Sequence, residues 1–166
     1  VTDLASLVPL AADVIAEGTR RKLTVAIAES CTGGLVVAAL TEIAGSSAVV
    51  ERGFVTYSNE AKTELLGVPK ALLEAKGAVS TEVAIAMAEG ALAHSPADLA
   101  VAVTGVAGPG GGSAAKPVGL VHFAVARRGG RPRQVERRFR DDGRSAIRLA
   151  AASEALKLLR ALLLSA

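Results

Sequence analysis

An α/β fold, a mostly parallel sheet with helices on both faces, is the fold class this sequence predicts. Three observations carry that expectation. Short runs of small and β-branched apolar residues alternate with helical patterns through most of the chain, as in strand–helix–strand units. One of these runs, Asp98 to Val103, is continuous and apolar enough to be a central strand. The palette is also telling: 51% of residues are hydrophobic, yet there is no Trp, one Tyr and three Phe. An interior of Ala, Val, Leu and Ile suits helices laid closely on a sheet.

Each element has its own local reason. Leu4 to Gly18 predicts an amphipathic helix, with Leu7, Leu10, Ala11, Val14 and Ile15 on one face and Gly18 near its end. Thr24 to Ala28 predicts the first strand, broken by Glu29 and Ser30. Cys31-Thr32-Gly33-Gly34 makes the turn, and Leu35 to Ile43 a buried helix. Val49 to Tyr57 predicts a second strand, where Gly53 marks a bulge or a close backbone approach. Short helices are expected over Glu60 to Leu66 and Lys70 to Lys76, each closed by a glycine. Ser80 or Thr81 caps the next helix, which runs to about Ala93 with Glu82 in its first turn. After the strand at Asp98 to Val103 and a glycine-rich loop, Val118 to Ala126 predicts a fourth strand. Arg127 to Pro132 is a hairpin turn into a fifth, so an antiparallel element comes late. Gly143 to Leu164 predicts a long final helix carrying Ile147, Ala151, Leu158 and Leu162 to the core. With no internal repeat and no linker, residues 1–166 are expected to form a single domain.

Composition narrows the function. No apolar stretch approaches the roughly twenty residues of a membrane span, so no membrane association is expected. Cys31 stands alone, no internal disulfide can form, and no signal-peptide h-region is evident; a reducing, cytoplasmic setting is expected. His94 and His122 lie far apart and no local metal-ligand spacing occurs, so no metal and no other cofactor is expected. The net charge of +3 hides a division: residues 127–148 hold nine Arg against three acids. That segment offers one stacking aromatic, Phe139, and alternates like a strand. A charged, solvated sheet edge is therefore favoured over nucleic-acid binding.

The chemistry-bearing residues gather at strand ends. In TVAIAESCTGGLVVAAL (24–40) a strand–turn–helix brings Glu29, Ser30, Cys31 and Thr32 to one point, followed by Gly33 and Gly34. The first N–H groups of the helix would point outward there, a site for an anion or a developing oxyanion. The plainer reading is that Ser30 or Thr32 caps the helix. The loop 105–113 has five glycines in nine residues but is neither GxGxxG, since position 113 is Ser, nor a P-loop. Its exposed N–H groups form a phosphate nest in prospect. It leaves the end of a central strand, where open α/β sheets bind ligands. Tyr57, Ser58, Asn59 and Lys62 leave the second strand in the same way. Arg144 and Arg148 share a face of the final helix near its N-terminus, where cations oppose the helix dipole and hint at an anion nearby.

Taken together, AESCTGG (28–34), GFVTYSNEAK (53–62), GAVS (77–80) and TGVAGPGGGSAAKPVGLV (104–121) closely resemble the CinA C-terminal-domain family, over nearly the whole chain from about Leu23. One departure is Asp142-Gly143-Arg144 where relatives carry Gly-Asp-Arg. The resemblance implies a three-layer α/β/α sandwich around a mixed sheet of about five strands with one antiparallel strand. Free-standing members resemble nicotinamide-nucleotide amidohydrolases, which convert nicotinamide mononucleotide to the nicotinate form and release ammonia. It further implies Ser30 as nucleophile, Lys62 as its base and Tyr57 as a residue that orients Lys62 or relays the proton. The substrate would be held by Thr32, Gly33, Gly34, Asn59, Thr104, Gly105, Gly108, Gly110, Gly111, Ser113 and Arg144, with Arg148 as a further supporting charge. Cys31 is a rival nucleophile, since a helix N-terminus lowers thiol pKa. The alternative function is a non-catalytic nucleotide-binding or regulatory module. A small-molecule pyridine nucleotide is the expected partner, and a homodimer the default assembly.

Overall fold

In the computed structural model, which describes residues 3–166, a 3-10 turn at Leu4–Leu7 leads into helix α1 (Val8–Arg21). There follow β1 (Val25–Glu29), α2 (Leu35–Thr41), β2 (Val50–Val55), α3 (Asn59–Leu66), α4 (Lys70–Lys76) and α5 (Thr81–Ala93). The chain ends with β3 (Leu99–Gly105), β4 (Leu120–Arg127), β5 (Arg133–Arg138) and α6 (Arg144–Leu164). The strands form one sheet in the order β2-β1-β3-β4-β5. β1 runs parallel to β2 and β3, and β4 is antiparallel to both β3 and β5. Four strands therefore share a direction and β4 alone opposes them, the mixed sheet expected.

The two faces of this sheet are built from different residues. Val25, Ile27, Leu99, Val101, Val103, Val121, Phe123 and Val125 point into one layer, against α1, α2 and α6. Their neighbours Ala26, Ala28, Ala100, Ala102, Ala124 and Ala126 point into the other, against α3, α4 and α5. Because side chains alternate along a strand, the V-A-I-A and L-A-V-A-V runs give a bulky face and an alanine face. On the alanine face α5 lies close: Met87, Ala84, Ala88 and Ala91 are fully buried there. The sheet's alternation also fixes the site, since Glu29 continues the bulky side and Ser30 the alanine side.

Several expectations are refined. The first helix does not stop at Gly18. It continues to Arg21 and ends on Lys22 in the left-handed region (φ 56°), while Gly18 lies inside it, where an added Cβ would meet Val49. Glu29 is the last residue of the first strand, not a break after Ala28. Gly53 is a close approach rather than a bulge, since a Cβ there would lie 2.5 Å from Val37 of α2. The bulge falls earlier, at the register shift that leaves Glu51 unpaired. Ser80 caps α5, accepting from Val83 N. β5 is an edge strand, and several arginines of the basic segment are engaged locally. Arg137 pairs with Glu154 at 2.7 Å, Arg138 with Glu136 at 3.0 Å and Arg140 with Asp142 at 2.8 Å. Arg128 holds the carbonyls of Leu92, Ser95 and Ala97. No described helix is long and apolar enough to cross a membrane.

Candidate active site

Lys62 organises the site. It sits one turn into α3 and is 1% exposed, the largest of the fully buried side chains. Ser58 starts its helix by accepting from Ala61 N at 3.0 Å, and Gly67 closes it in the left-handed region. That short helix turns the lysine back under its own N-terminus. Nζ donates to the Thr56 carbonyl at 2.7 Å and makes longer contacts to the carbonyls of Tyr57 (3.4 Å) and Ser58 (3.5 Å). Its remaining partner is Ser30 Oγ, at 3.0 Å. No carboxylate pairs with Lys62 among the described residues. Burial without a counter-charge disfavours the ammonium form and pulls the pKa down to about 8. About a tenth of the amine is thus neutral at pH 7, within hydrogen-bond reach of a serine hydroxyl.

Ser30 is delivered by the end of β1. Its N–H donates to Val103 O, extending the ladder to β3, and its carbonyl accepts from Gly33 N. Gly33 (φ 59°) and Gly34 (φ 99°) supply left-handed backbone that allows α2 to begin so soon after the strand. Neither Ser30 nor Thr32 caps that helix, contrary to the plainer reading. The cap is Glu29, whose buried carboxylate accepts from Gly34 N, Val36 N and Val37 N at 3.0 to 3.1 Å. A signal for this was present in the sequence: two-residue alternation puts Glu29 on the face of Val25 and Ile27, the face that α2 covers.

A cavity of about 260 Å³ opens over the Ser30–Lys62 pair. Of the expected residues, Ser30, Cys31, Tyr57, Lys62, Thr104, Gly105, Gly108, Gly110, Gly111 and Arg144 line it, joined by Ala78, Val79, Val106 and Ala107, which were not expected. Thr104 Oγ1 donates to Ala78 O at 2.8 Å and so holds that wall in place. Arg144 spans the opening, donating to Gly108 O and to the Tyr57 hydroxyl, both at 2.8 Å. Gly110 and Gly111 have open space where a Cβ would be. Among the described residues, no hydrogen bond engages the N–H groups of Gly108, Gly110, Gly111 or Gly112. Lys62 and Arg144 are the charged residues of the lining, so its polarity favours anions. No group of three or more His, Cys, Asp or Glu side chains that could hold a metal ion occurs among the described residues.

Several other expected residues lie elsewhere or are engaged differently. Thr32 is fully buried with its hydroxyl unpartnered, facing inward. Gly33 and Gly34 do not line the cavity, and their N–H groups are taken by Ser30 O and Glu29. Asn59 lines a separate hollow between α3 and α4, with Glu60, Glu64 and Lys70. That hollow, about 380 Å³, is larger but contains no buried nucleophile. Ser113 closes a local turn with Lys116 beside the neighbouring surface of the loop. The Tyr57 phenol is bonded to Arg144; what orients Lys62 is the carbonyls of residues 56–58. Arg148 is committed to the carbonyls of Cys31 (3.0 Å) and Thr32 (2.9 Å), bracing the turn. Cys31 is buried, and burial pushes its thiol up to about 11, reversing the activation expected from a helix N-terminus. That terminus is already filled by Glu29.

Comparison with known proteins converges on one family. A model of the CinA C-terminal domain matches residues 7–163. A nicotinamide-nucleotide amidohydrolase PncC from Enterobacter agglomerans is 57% identical over 128 residues, 77% of this chain and 77% of that protein. A CinA-like protein from Synechococcus sp. is 55% identical over 152 residues, 91% of this chain but 36% of its own length. This chain thus spans about a third of the length of the longer CinA-like relatives. Among solved structures, the competence/damage inducible protein CihA from Agrobacterium tumefaciens superposes with a TM-score of 0.92 at 57% identity, covering 94% of both chains.

Proposed function

Because the chain belongs to the CinA C-terminal-domain family, we propose that it is a serine amidohydrolase that converts nicotinamide mononucleotide to nicotinate mononucleotide and ammonia. One observation carries this reading: the buried 3.0 Å hydrogen bond between Lys62 Nζ and Ser30 Oγ, made by a lysine whose burial favours its neutral form. The name of the Enterobacter agglomerans relative supports the substrate.

The chemistry follows from the atoms. Neutral Lys62 takes the Ser30 hydroxyl proton as Oγ bonds to the carboxamide carbon. The oxygen of the tetrahedral adduct needs donors. The N–H of Cys31, directly after the nucleophile, is the natural one, because it makes no hydrogen bond to another residue. The Lys62 ammonium then protonates the departing nitrogen, the C–N bond breaks, and ammonia leaves an ester on Ser30. A water molecule, deprotonated by the same amine, attacks that ester. The proton returns to Oγ and the carboxylate product departs. The nucleotide's phosphate is held by the open N–H groups of Gly108, Gly110, Gly111 and Gly112 and by Arg144.

Incubation of the purified protein with nicotinamide mononucleotide tests the proposal. Stoichiometric release of ammonia and nicotinate mononucleotide is expected. Tight binding of a nucleotide recovered unchanged would instead favour a non-catalytic binding module.

A further inference from the structure

We infer that Glu29 is a positioning residue of the site: its carboxylate fixes the angle at which Ser30 meets Lys62. The inference rests on the reading of Ser30 as nucleophile. Glu29 is completely buried and has no cationic partner among the described residues. Oε2 accepts from Gly34 N and Val36 N at 3.1 Å each, and Oε1 from Val37 N at 3.0 Å. Both oxygens therefore act as acceptors.

The origin of the carboxylate matters more than the cap. A helix of seven residues is ordinarily capped from its own N-cap position by Ser, Thr, Asp or Asn. Here that position is Gly34, with no side chain, and the cap comes from the residue covalently joined to the nucleophile. Around Ser30, the backbone is held at several points. Thr56 N donates to Glu29 O at 2.8 Å, Ser30 N to Val103 O at 2.9 Å, and Gly33 N to Ser30 O at 3.0 Å. The Glu29 side chain ties this cross of strands to α2, and α2 to Lys62's side of the sheet through the shared end of β1. Release of the carboxylate would leave the backbone trace intact but let the 30–34 turn rotate. A nucleophile displaced by about 1 Å costs on the order of a hundredfold in rate.

Glu29→Gln tests this. The amide keeps the size, but its NH2 must face an N–H donor, so one or two of the three bonds are lost. Three measurements are made: kcat and KM for nicotinamide mononucleotide, thermal stability, and the rate at which a fluorophosphonate serine reagent labels Ser30. A loss of about tenfold to a hundredfold in kcat is expected, matched by slower labelling, with KM within about twofold because the binding contacts lie elsewhere. A folded Glu29→Gln protein that labels and turns over at the wild-type rate overturns the inference and leaves the serine reading standing. Wild-type protein that is neither labelled at Ser30 nor active removes the serine reading, and this inference with it. Amide hydrogen exchange in the wild-type protein gives a check that needs no variant. Gly34, Val36 and Val37 should exchange as slowly as the strand β1, and exchange as fast as in the open loop at Gly110 and Gly111 overturns the inference.

Discussion

Two glycine-containing connections leave neighbouring parallel strands at the same end of the sheet, yet they are opposite in kind. In the turn after β1 most of the backbone is engaged, and the Cys31 N–H beside the serine is left open. The N–H groups of Ser30, Gly33, Gly34, Leu35, Val36 and Val37 have partners within the protein, and Arg148 covers the carbonyls of Cys31 and Thr32. The loop after β3 is tied at its base, through Val106 N to Leu120 O and Gly119 N to Val106 O, and again at the Ser113–Lys116 turn, while Gly110 and Gly111 between them face open space. One connection is rigid and holds Ser30, the proposed nucleophile. The other is open and offers backbone donors. A glycine-rich turn before a helix is therefore not an anion site by itself; what decides is whether the chain already supplies a carboxylate.

That division can be broken most severely at the rigid turn. Ser30→Ala and Lys62→Ala should each lower kcat by roughly a thousandfold or more, with the double variant little worse than either, because the two act as one unit. Lys62→Arg should be almost as inactive, since guanidinium does not give up its proton near neutral pH. Ammonia release measured on variants shown to be folded decides this; full turnover by folded Ser30→Ala would end the serine mechanism.

The pH profile sharpens the same half of the comparison. The proposed mechanism requires neutral Lys62, whose pKa is lowered by burial to about 8. Going down from there, kcat/KM should fall about tenfold per pH unit as the amine takes up its proton, and it should level off above pH 8. A profile flat from pH 6 to 9 contradicts Lys62 as the base.

The open loop should respond in affinity, not rate. Arg144→Ala removes a charged donor from the cavity and loosens Gly108. KM is expected to rise about tenfold, the effect of losing one charge-assisted bond, with kcat changed little. Steady-state kinetics showing the reverse, a large fall in kcat at unchanged KM, would place Arg144 with the chemistry. The smallest effect is expected at Cys31→Ala. The thiol is buried and held protonated, so activity should stay within about threefold while stability falls by about 1 kcal/mol for the small void. Loss of turnover in a folded Cys31→Ala protein would return the thiol to consideration.

Much of this molecule is determined by sequence alone, because local periodicity and punctuation are local facts. Alternating apolar runs set the strands, Gly67 and Gly77 end α3 and α4, and Ser58 and Ser80 cap α3 and α5. The spaced motifs likewise brought Ser30, Lys62, Thr104, the loop glycines and Arg144 to one end of the sheet. What tertiary structure decided is which way each polar group faces and what satisfies it. Thr32 and Arg148 looked as available as Ser30 and Arg144, but packing turned one into the core and spent the other on carbonyls. Asn59 and Ser113 fell on neighbouring surfaces. Glu29 looked like the residue that ends a strand, and proved to be a buried cap across the turn. Most buried donors and acceptors find a partner, and the pairings that shape this site join residues far apart in sequence: Arg148 with Cys31, Arg144 with Tyr57, Lys62 with Ser30. No single stretch of sequence encodes such pairings; they exist only once the sheet has brought the strand ends together.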